Sequence, residues 1–254
     1  MERKFRKLIR FNQVMAALHF VQALAVLVLS TNFSLPVTAS YQVFNPANQM
    51  LQIASRQLFS IRLGYLVAAF FFMSALAHLY VAVIRPATYV ANLKKGINYA
   101  RWIEYAFSAS TMIVAIAMLA GIENLGTLLA LFSLTAIMNL MGLVMEIHNQ
   151  ATAKTNWLSY KIGILAAAIP WVIIALAFWG SATSGAGDIP TFVYYIYGSI
   201  FIAFNVFALN MYLQYKKLNK WADYLYGERA YIILSLVAKS ALAWQIFAGT
   251  LRPV

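Results

Sequence analysis

The chain has 254 residues, 63% of them hydrophobic and only 10% charged, with a mean hydropathy of +0.72. A soluble domain carries about 25% charged residues, so this composition excludes one and predicts a polytopic membrane protein, a single helical domain without a soluble appendage. The net charge of +12 then reads as a topology signal and no nucleic-acid partner is expected, while the absence of cysteine excludes disulfides, thiolate nucleophiles and Cys-based metal sites.

Seven spans can be drawn, at about 8–31, 60–84, 97–121, 125–147, 157–180, 190–215 and 229–251. Each is long enough to cross a bilayer as a helix with some tilt. The first follows MERKFRKLIR and resembles a signal peptide, but its apolar run continues to about Ser30 with no small-residue cleavage site. It is expected to remain as the first membrane helix. The connection from about Asn32 to Gln57 is the longest, and Tyr41 to Phe44 alternates enough for a short strand or hairpin. Such an element would cap the bundle or pair with a second protomer; a lid without a partner is the alternative. The other loops on that side, Gly121–Gly126 and Gly180–Pro190, are short. Fifteen of the nineteen Lys and Arg residues fall at the N-terminus or in the connections on its side, three (Arg56, Arg62, Arg252) on the other, and Lys239 in neither. The positive-inside rule therefore predicts a cytoplasmic N-terminus and an extracellular C-terminus. Lys216 to Glu228, with Trp221, Tyr224 and Tyr226 among its charges, reads as an interfacial anchor.

The seventh span, YIILSLVAKSALAWQIFAG, carries Lys239 near its middle with no acidic residue within a turn. Ten residues in, it lies roughly 15 Å deep at 1.5 Å per residue, too deep for a simple snorkel. An ammonium there costs on the order of 3 kcal/mol. Lys239 therefore has a partner, lines water, or is an amine committed to a Schiff base; on this helix alone a transporter lysine and a Schiff-base lysine stand level. Of the seven acidic residues, Glu2, Glu123, Glu146, Asp188, Asp223 and Glu228 are placed at span ends or in loops, and Glu104 lies inside the third span. A Lys239–Glu104 pair is the economical solution. Arg101 sits one turn from Glu104 towards the cytoplasmic side and Ser108 one turn deeper, while Ser235 precedes Lys239 by one turn, so Glu104, Ser108, Ser235 and Lys239 could form one polar cluster. Each serine could equally bond its own helix carbonyl.

His19 and His78 are also at membrane depth, with Gln22 and Ser74 a turn away, and suggest a polar cavity able to titrate near neutral pH. A metal site is not expected, because these two have no third ligand and His148 lies at a span end. Of the mid-depth aromatics, Tyr105, Trp171 beside Pro170, Phe204 and Trp244, with Met112 and Met138, could wall a flat apolar ligand or serve as core.

These residues resemble the retinal-binding rhodopsins, and most closely the heliorhodopsins: SLVAKSALAWQIF around Lys239, GERAY before it, RWIEY around Glu104, FALNMYLQYK in the sixth span, and the inverted topology. The resemblance covers essentially the whole chain. It implies an all-α seven-helix membrane bundle, with all-trans retinal on Lys239 as a protonated Schiff base and Glu104 as counterion. Ser108 and Ser235 match polar neighbours of that linkage, and His19, His78, Ser74 and Arg101 fall to a cytoplasmic-side polar cavity that could accept a proton. Trp171, Phe204 and Met138 fall at chromophore-lining positions, and Tyr105, Met112 and Trp244, by their depth, are counted with them as lining candidates. The first outer loop matches the β-element of family dimers, so a homodimer in the cell membrane with an unidentified cytoplasmic signalling partner is implied. Proton pumps of the wider group share Arg101-x-x-Glu104, but they keep an aspartate where this chain has Ser235 and a donor carboxylate where it has Ala115. The expectation is a light-sensing photoreceptor that neither pumps ions nor catalyses a reaction. The rivals are a light-driven proton transporter or channel and, more remotely, a solute carrier built on Lys239–Glu104; neither an inverted repeat nor a Gly/Pro-broken helix pair supports the carrier.

Overall fold

The computed structural model describes residues 2–184 and 190–251. Arg252 and Asp188 lie outside the described residues. The order is α1 (Arg3–Leu29), β1 (Ser34–Asn45), β2 (Met50–Arg62), α2 (Leu63–Leu79), α3 (Pro86–Lys94), α4 (Tyr99–Leu119), α5 (Leu125–His148), α6 (Leu158–Thr183), α7 (Thr191–Tyr215) and α8 (Tyr224–Ile246). A π turn, Tyr80–Ile84, extends α2, and a second, Phe247–Leu251, extends α8. Among the described residues, seven helices are long and apolar enough to cross a membrane: α1, α2 with its π turn, and α4 to α8 with its own. The chain is thus a multi-pass helical membrane protein.

Two starts differ from the sequence reading. The first helix begins at Arg3 because its basic turns are amphipathic and seat Phe5, Leu8 and Ile9 in the core. The last begins at Tyr224, not near 229, because the Asp223 side chain accepts from Leu225 N and caps it there. The short α3 was not expected. It opens on Pro86, whose fixed φ suits a first helical turn, and ends before Gly96 at φ +72°. Asn98 and Asn124 cap α4 and α5 by accepting from Arg101 N and Thr127 N.

The hairpin is far longer than the expected short strand. β1 and β2 pair antiparallel from Ser34↔Arg62 to Asn45↔Met50, with one bulge between Val37 and Thr38. A lone two-stranded ribbon is marginal in water. Here its base is held: Val37 is fully buried, Thr38 N donates to Glu123 O, and Thr38 bridges Asn124 in the α4–α5 loop. Its tip is not, and Phe44, Met50 and Ile53 are exposed.

α4 runs through the bundle, packed on α2 and α5, and buries Trp102, Tyr105, Met112 and Ile116. Its approach to α5 depends on Gly142, since a Cβ there would run into the Trp102 ring. The main core lies towards the hairpin end, with smaller clusters towards the end that carries the N-terminus, called here the basic end.

Candidate functional site

Lys239 lies in the middle of α8 with 3% of its side chain exposed. Its Nζ donates to Ser235 Oγ at 2.8 Å, one turn back on the same helix. Across the bundle it meets Glu104 Oε1 at 3.2 Å, so the two intramembrane charges that the sequence singled out do pair. The carboxylate also accepts from Ser74 Oγ of α2 at 2.6 Å. Three helices thus converge on one ion pair, and the Tyr105 ring lies 5.2 Å from the ammonium.

On one side this pair opens into a cavity of about 250 Å³ between α4, α5, α6, α7 and α8. Lys239 and Ser235 form its polar end; Tyr105, Met112, Met138, Trp171 and Phe204 are among its walls. Trp171 is held edge-on by Tyr197, Phe201 and Phe204, with ring centroids 5.3–5.6 Å apart. Pro170 beside it has no N–H to give to Ala166 O, a local irregularity in α6 next to the cavity.

Other expected members fall elsewhere. Trp244 is not in the cavity lining: it is 38% exposed, and its indole N–H donates to Gln22 Oε1 at 3.0 Å, joining α8 to α1. That Gln22 oxygen also accepts from Ser240. Ser108 is fully buried, but its hydroxyl bonds neither Glu104 nor Lys239 and has no partner among the described residues. Ser74, expected beside His78, belongs to the ion pair instead.

His19 and His78 come together as expected, stacked with centroids 5.4 Å apart. His78 Nδ1 is 2.7 Å from Asn12 Oδ1, while both His19 nitrogens are buried without a partner. A small cavity of about 30 Å³ lies between His78, Asn12, Glu104, Ser235, Arg101 and Glu228.

Arg101 does not share Glu104. It is pinned between Glu146 of α5 and Glu228 of α8, both nearly fully buried, and its guanidinium lies 4.1 Å from the Tyr231 ring. Glu146 also accepts from Asn98 N, Trp102 Nε1 and Tyr224 OH, at 2.7–3.0 Å. Glu228 accepts from Asn98 Nδ2 at 2.7 Å and Tyr89 OH at 3.0 Å. Burial, and then the Glu228 carboxylate, push the Tyr89 hydroxyl's pKa well above its usual value, so it stays a donor. The sequence reading placed both glutamates at span ends and Tyr224 in an anchor, and missed this cluster. The available signal was the balance of charge: a guanidinium at membrane depth needs carboxylates of its own, and these two were unassigned on its side of the bundle.

Comparison with known proteins bears on the fold and the family. A light-driven proton pump from Leptosphaeria maculans, LR (Mac), has a similar fold, with a TM-score of 0.68 at 15% identity over 98% of this chain and 96% of that one. Among curated protein sequences none matches. The profile of the heliorhodopsin family matches residues 8–251, nearly the whole chain. With seven spans, a buried lysine–glutamate pair and an apolar cavity at its amine, the chain belongs to the heliorhodopsin family and is a retinal rhodopsin of the membrane.

Proposed function

We propose that this chain is a light-sensing photoreceptor in which retinal is carried on Lys239 and light shifts the bundle between conformations without sustained ion transport. The observation that carries the reading is the Lys239 amine at the polar end of an aromatic cavity, paired with Glu104 at 3.2 Å. The residues present fit the group: the walls are apolar, the amine is buried, and a carboxylate stands beside it.

Retinal, bound covalently at Lys239 Nζ, supplies visible absorption and a light-driven change of shape. Trp171, Phe204 and Met138 hold its flat apolar body and exclude water. Glu104 favours a positive charge at Nζ, and Ser74 and Ser235 orient the two partners of that pair. A proton that leaves Nζ has Glu104 as its nearest carboxylate. Beyond Glu104, the small cavity leads to His78, and the stacked His19 has no hydrogen-bond partner among the described residues. That route runs towards the basic end, which by its charge we take as cytoplasmic with the C-terminus outside. The hairpin tip, with Phe44, Met50 and Ile53 exposed, supports a dimer through that ribbon. A signalling partner on the cytoplasmic side, and no enzymatic role, complete the reading.

The likeness to a pump supports a second reading, a light-driven proton transporter. Ser235 and the fully buried Ala115 stand where the wider group's pumps hold carboxylates, and among the described residues Glu104 is the one carboxylate paired with the amine. Absorbance after addition of all-trans retinal, followed by pH recording from vesicles under continuous light, tests both. A visible band with no sustained pH change is expected; a steady, uncoupler-sensitive change would replace the photoreceptor with the transporter.

A further inference from the structure

A second, larger recess lies on the outer face of the bundle, on the far side of α4 from the Lys239 cavity. It measures about 590 Å³ and is bounded by α2, its π turn, α3 and α4. Two apolar stripes form its walls. Tyr99, Ile103 and Phe107 are spaced four residues apart, on one face of α4; Met73 and Leu76 of α2 and Tyr80 of its π turn form the facing stripe. Leu76, Ile103 and Phe107 are each about half exposed or more, at 64%, 49% and 54%. Exposed apolar residues are ordinary in a membrane helix, so the walls alone say only that an acyl chain can lie there.

The mouth says more. At the end of the π turn stands Arg85, and Thr88 and Asn92 follow on α3. None of these three side chains has a hydrogen-bond or ion-pair partner among the described residues, and no acidic residue lines the mouth. That contrasts with Arg101 on the neighbouring helix, whose guanidinium meets two carboxylates. Arg85 closes the helix that crosses the membrane, so it stands at headgroup level, with the apolar stripes running from it into the membrane. π turns are rare and are frequently found at functional sites. On the floor of the recess is Glu104, the carboxylate of the buried pair.

From the unpaired cation, the adjacent uncharged donors and the two apolar stripes below them, we propose that this recess is a binding site for an anionic phospholipid. The phosphate sits on Arg85, with Thr88 and Asn92 as further donors, and one acyl chain lies between α2 and α4 over Ile103 and Phe107. A zwitterionic lipid would bring its own cation to a mouth that already has one and lacks an anion, so the site discriminates by charge. The chain also covers the lipid-facing side of Glu104 and keeps water from it.

The test uses the full-length protein in nanodiscs of equal phosphatidylglycerol and phosphatidylcholine, with retained lipid read by native mass spectrometry after transfer to detergent. It needs no pigment, so its outcome is independent of the photoreceptor reading. The parent should retain phosphatidylglycerol preferentially. Arg85→Gln should lower that preference about five-fold, the equivalent of about 1 kcal/mol for one basic side chain at a membrane surface. Ile103→Trp should remove the retained lipid by filling the groove, with Leu76→Phe as the milder filling variant if the tryptophan lowers yield. Lys154→Gln, in a loop away from the recess, should change nothing. Soluble glycerol phosphate should not displace the lipid, because the headgroup alone lacks the acyl contact. Equal retention of both lipids by the parent, or a preference insensitive to either Arg85→Gln or the filling variants, would overturn the site and leave only general attraction to a basic surface.

Discussion

Two ion-pair sites sit on consecutive turns of α4, and they are built in opposite ways. At Arg101 one guanidinium faces two carboxylates, and Asn98, Trp102, Tyr89 and Tyr224 donate to them as well. At Glu104 one carboxylate faces one amine and one serine hydroxyl, beside a cavity. A buried network with many partners is costly to disturb and holds helices in register. A sparse pair at a cavity wall can exchange a proton or change partner with little rearrangement. The comparison assigns Arg101 to the joint between α4, α5 and α8, and Glu104 to the part of the site where charge changes.

The largest effect that would sharpen this contrast is at Lys239. Lys239→Ala should abolish the visible band formed with retinal, because no other primary amine lines the cavity. Hydroxylamine bleaching of the parent is the control for a covalent linkage. A normal band in the variant would move the attachment elsewhere.

Next in size is the joint. Arg101→Met leaves two carboxylates buried without their cation, and breaking a buried pair in this way costs about 3–5 kcal/mol. Thermal or denaturant unfolding in detergent should show a loss of that order, and Glu146→Gln with Glu228→Gln in the same chain should recover part of it. Glu104→Gln, by contrast, should cost less, because it leaves one amine at a cavity wall that can give up its proton, where Arg101→Met leaves two buried carboxylates. If Arg101→Met were as mild as Glu104→Gln, the division between joint and working pair would not hold.

How far each site was legible follows from where its residues fall. Lys239 and Glu104 stand alone in apolar stretches, so cost and economy paired them from sequence. Glu146 and Glu228 were read as end residues because helix ends were drawn from hydropathy. The Asp223 cap starts α8 five residues earlier and carries Glu228 a full turn inside. Ser74 lies as close in sequence to His78 as a neighbour should, and only the packing of α2 on α4 turns it to Glu104. The seven spans were legible because apolar length is a local property. The length of the hairpin was not, because its pairing rests on the docking of Thr38 onto the α4–α5 loop. Trp171 and Trp244 looked alike in sequence, since both are mid-depth indoles, and only the rotation of their helices separates them.

A smaller effect is expected from Glu104→Gln on the pigment. The substitution keeps shape and removes the anion 3.2 Å from the amine. The visible band should move to longer wavelength, and conversion to a near-ultraviolet form should begin at lower pH than in the parent. Each unit by which that midpoint falls corresponds to about 1.4 kcal/mol less stabilisation of the charged form. Dark titrations with and without chloride check it, since a halide could replace the carboxylate. If both proteins titrate together without chloride, Glu104 is not the counterion.

The smallest effect separates the two tryptophans. Trp171 lines the cavity and is braced edge-on by three aromatic rings, so Trp171→Phe changes both the shape and the polarisability of a wall. Trp244 is directed away, its N–H on Gln22, so Trp244→Phe removes a hydrogen bond between α8 and α1 and leaves the cavity lining as it was. Losing one such bond costs about 1 kcal/mol at most at a partly exposed position. Trp171→Phe should therefore shift the visible band, while Trp244→Phe should leave it in place and lower thermal stability slightly. Spectra and melting curves of the two variants, recorded side by side, read both quantities. A band shift in Trp244→Phe as large as that in Trp171→Phe would place the chromophore along α8 towards Gln22, outside the cavity at Lys239 and Trp171. The comparison of a working pair with a fixed joint would then have to be redrawn around α1.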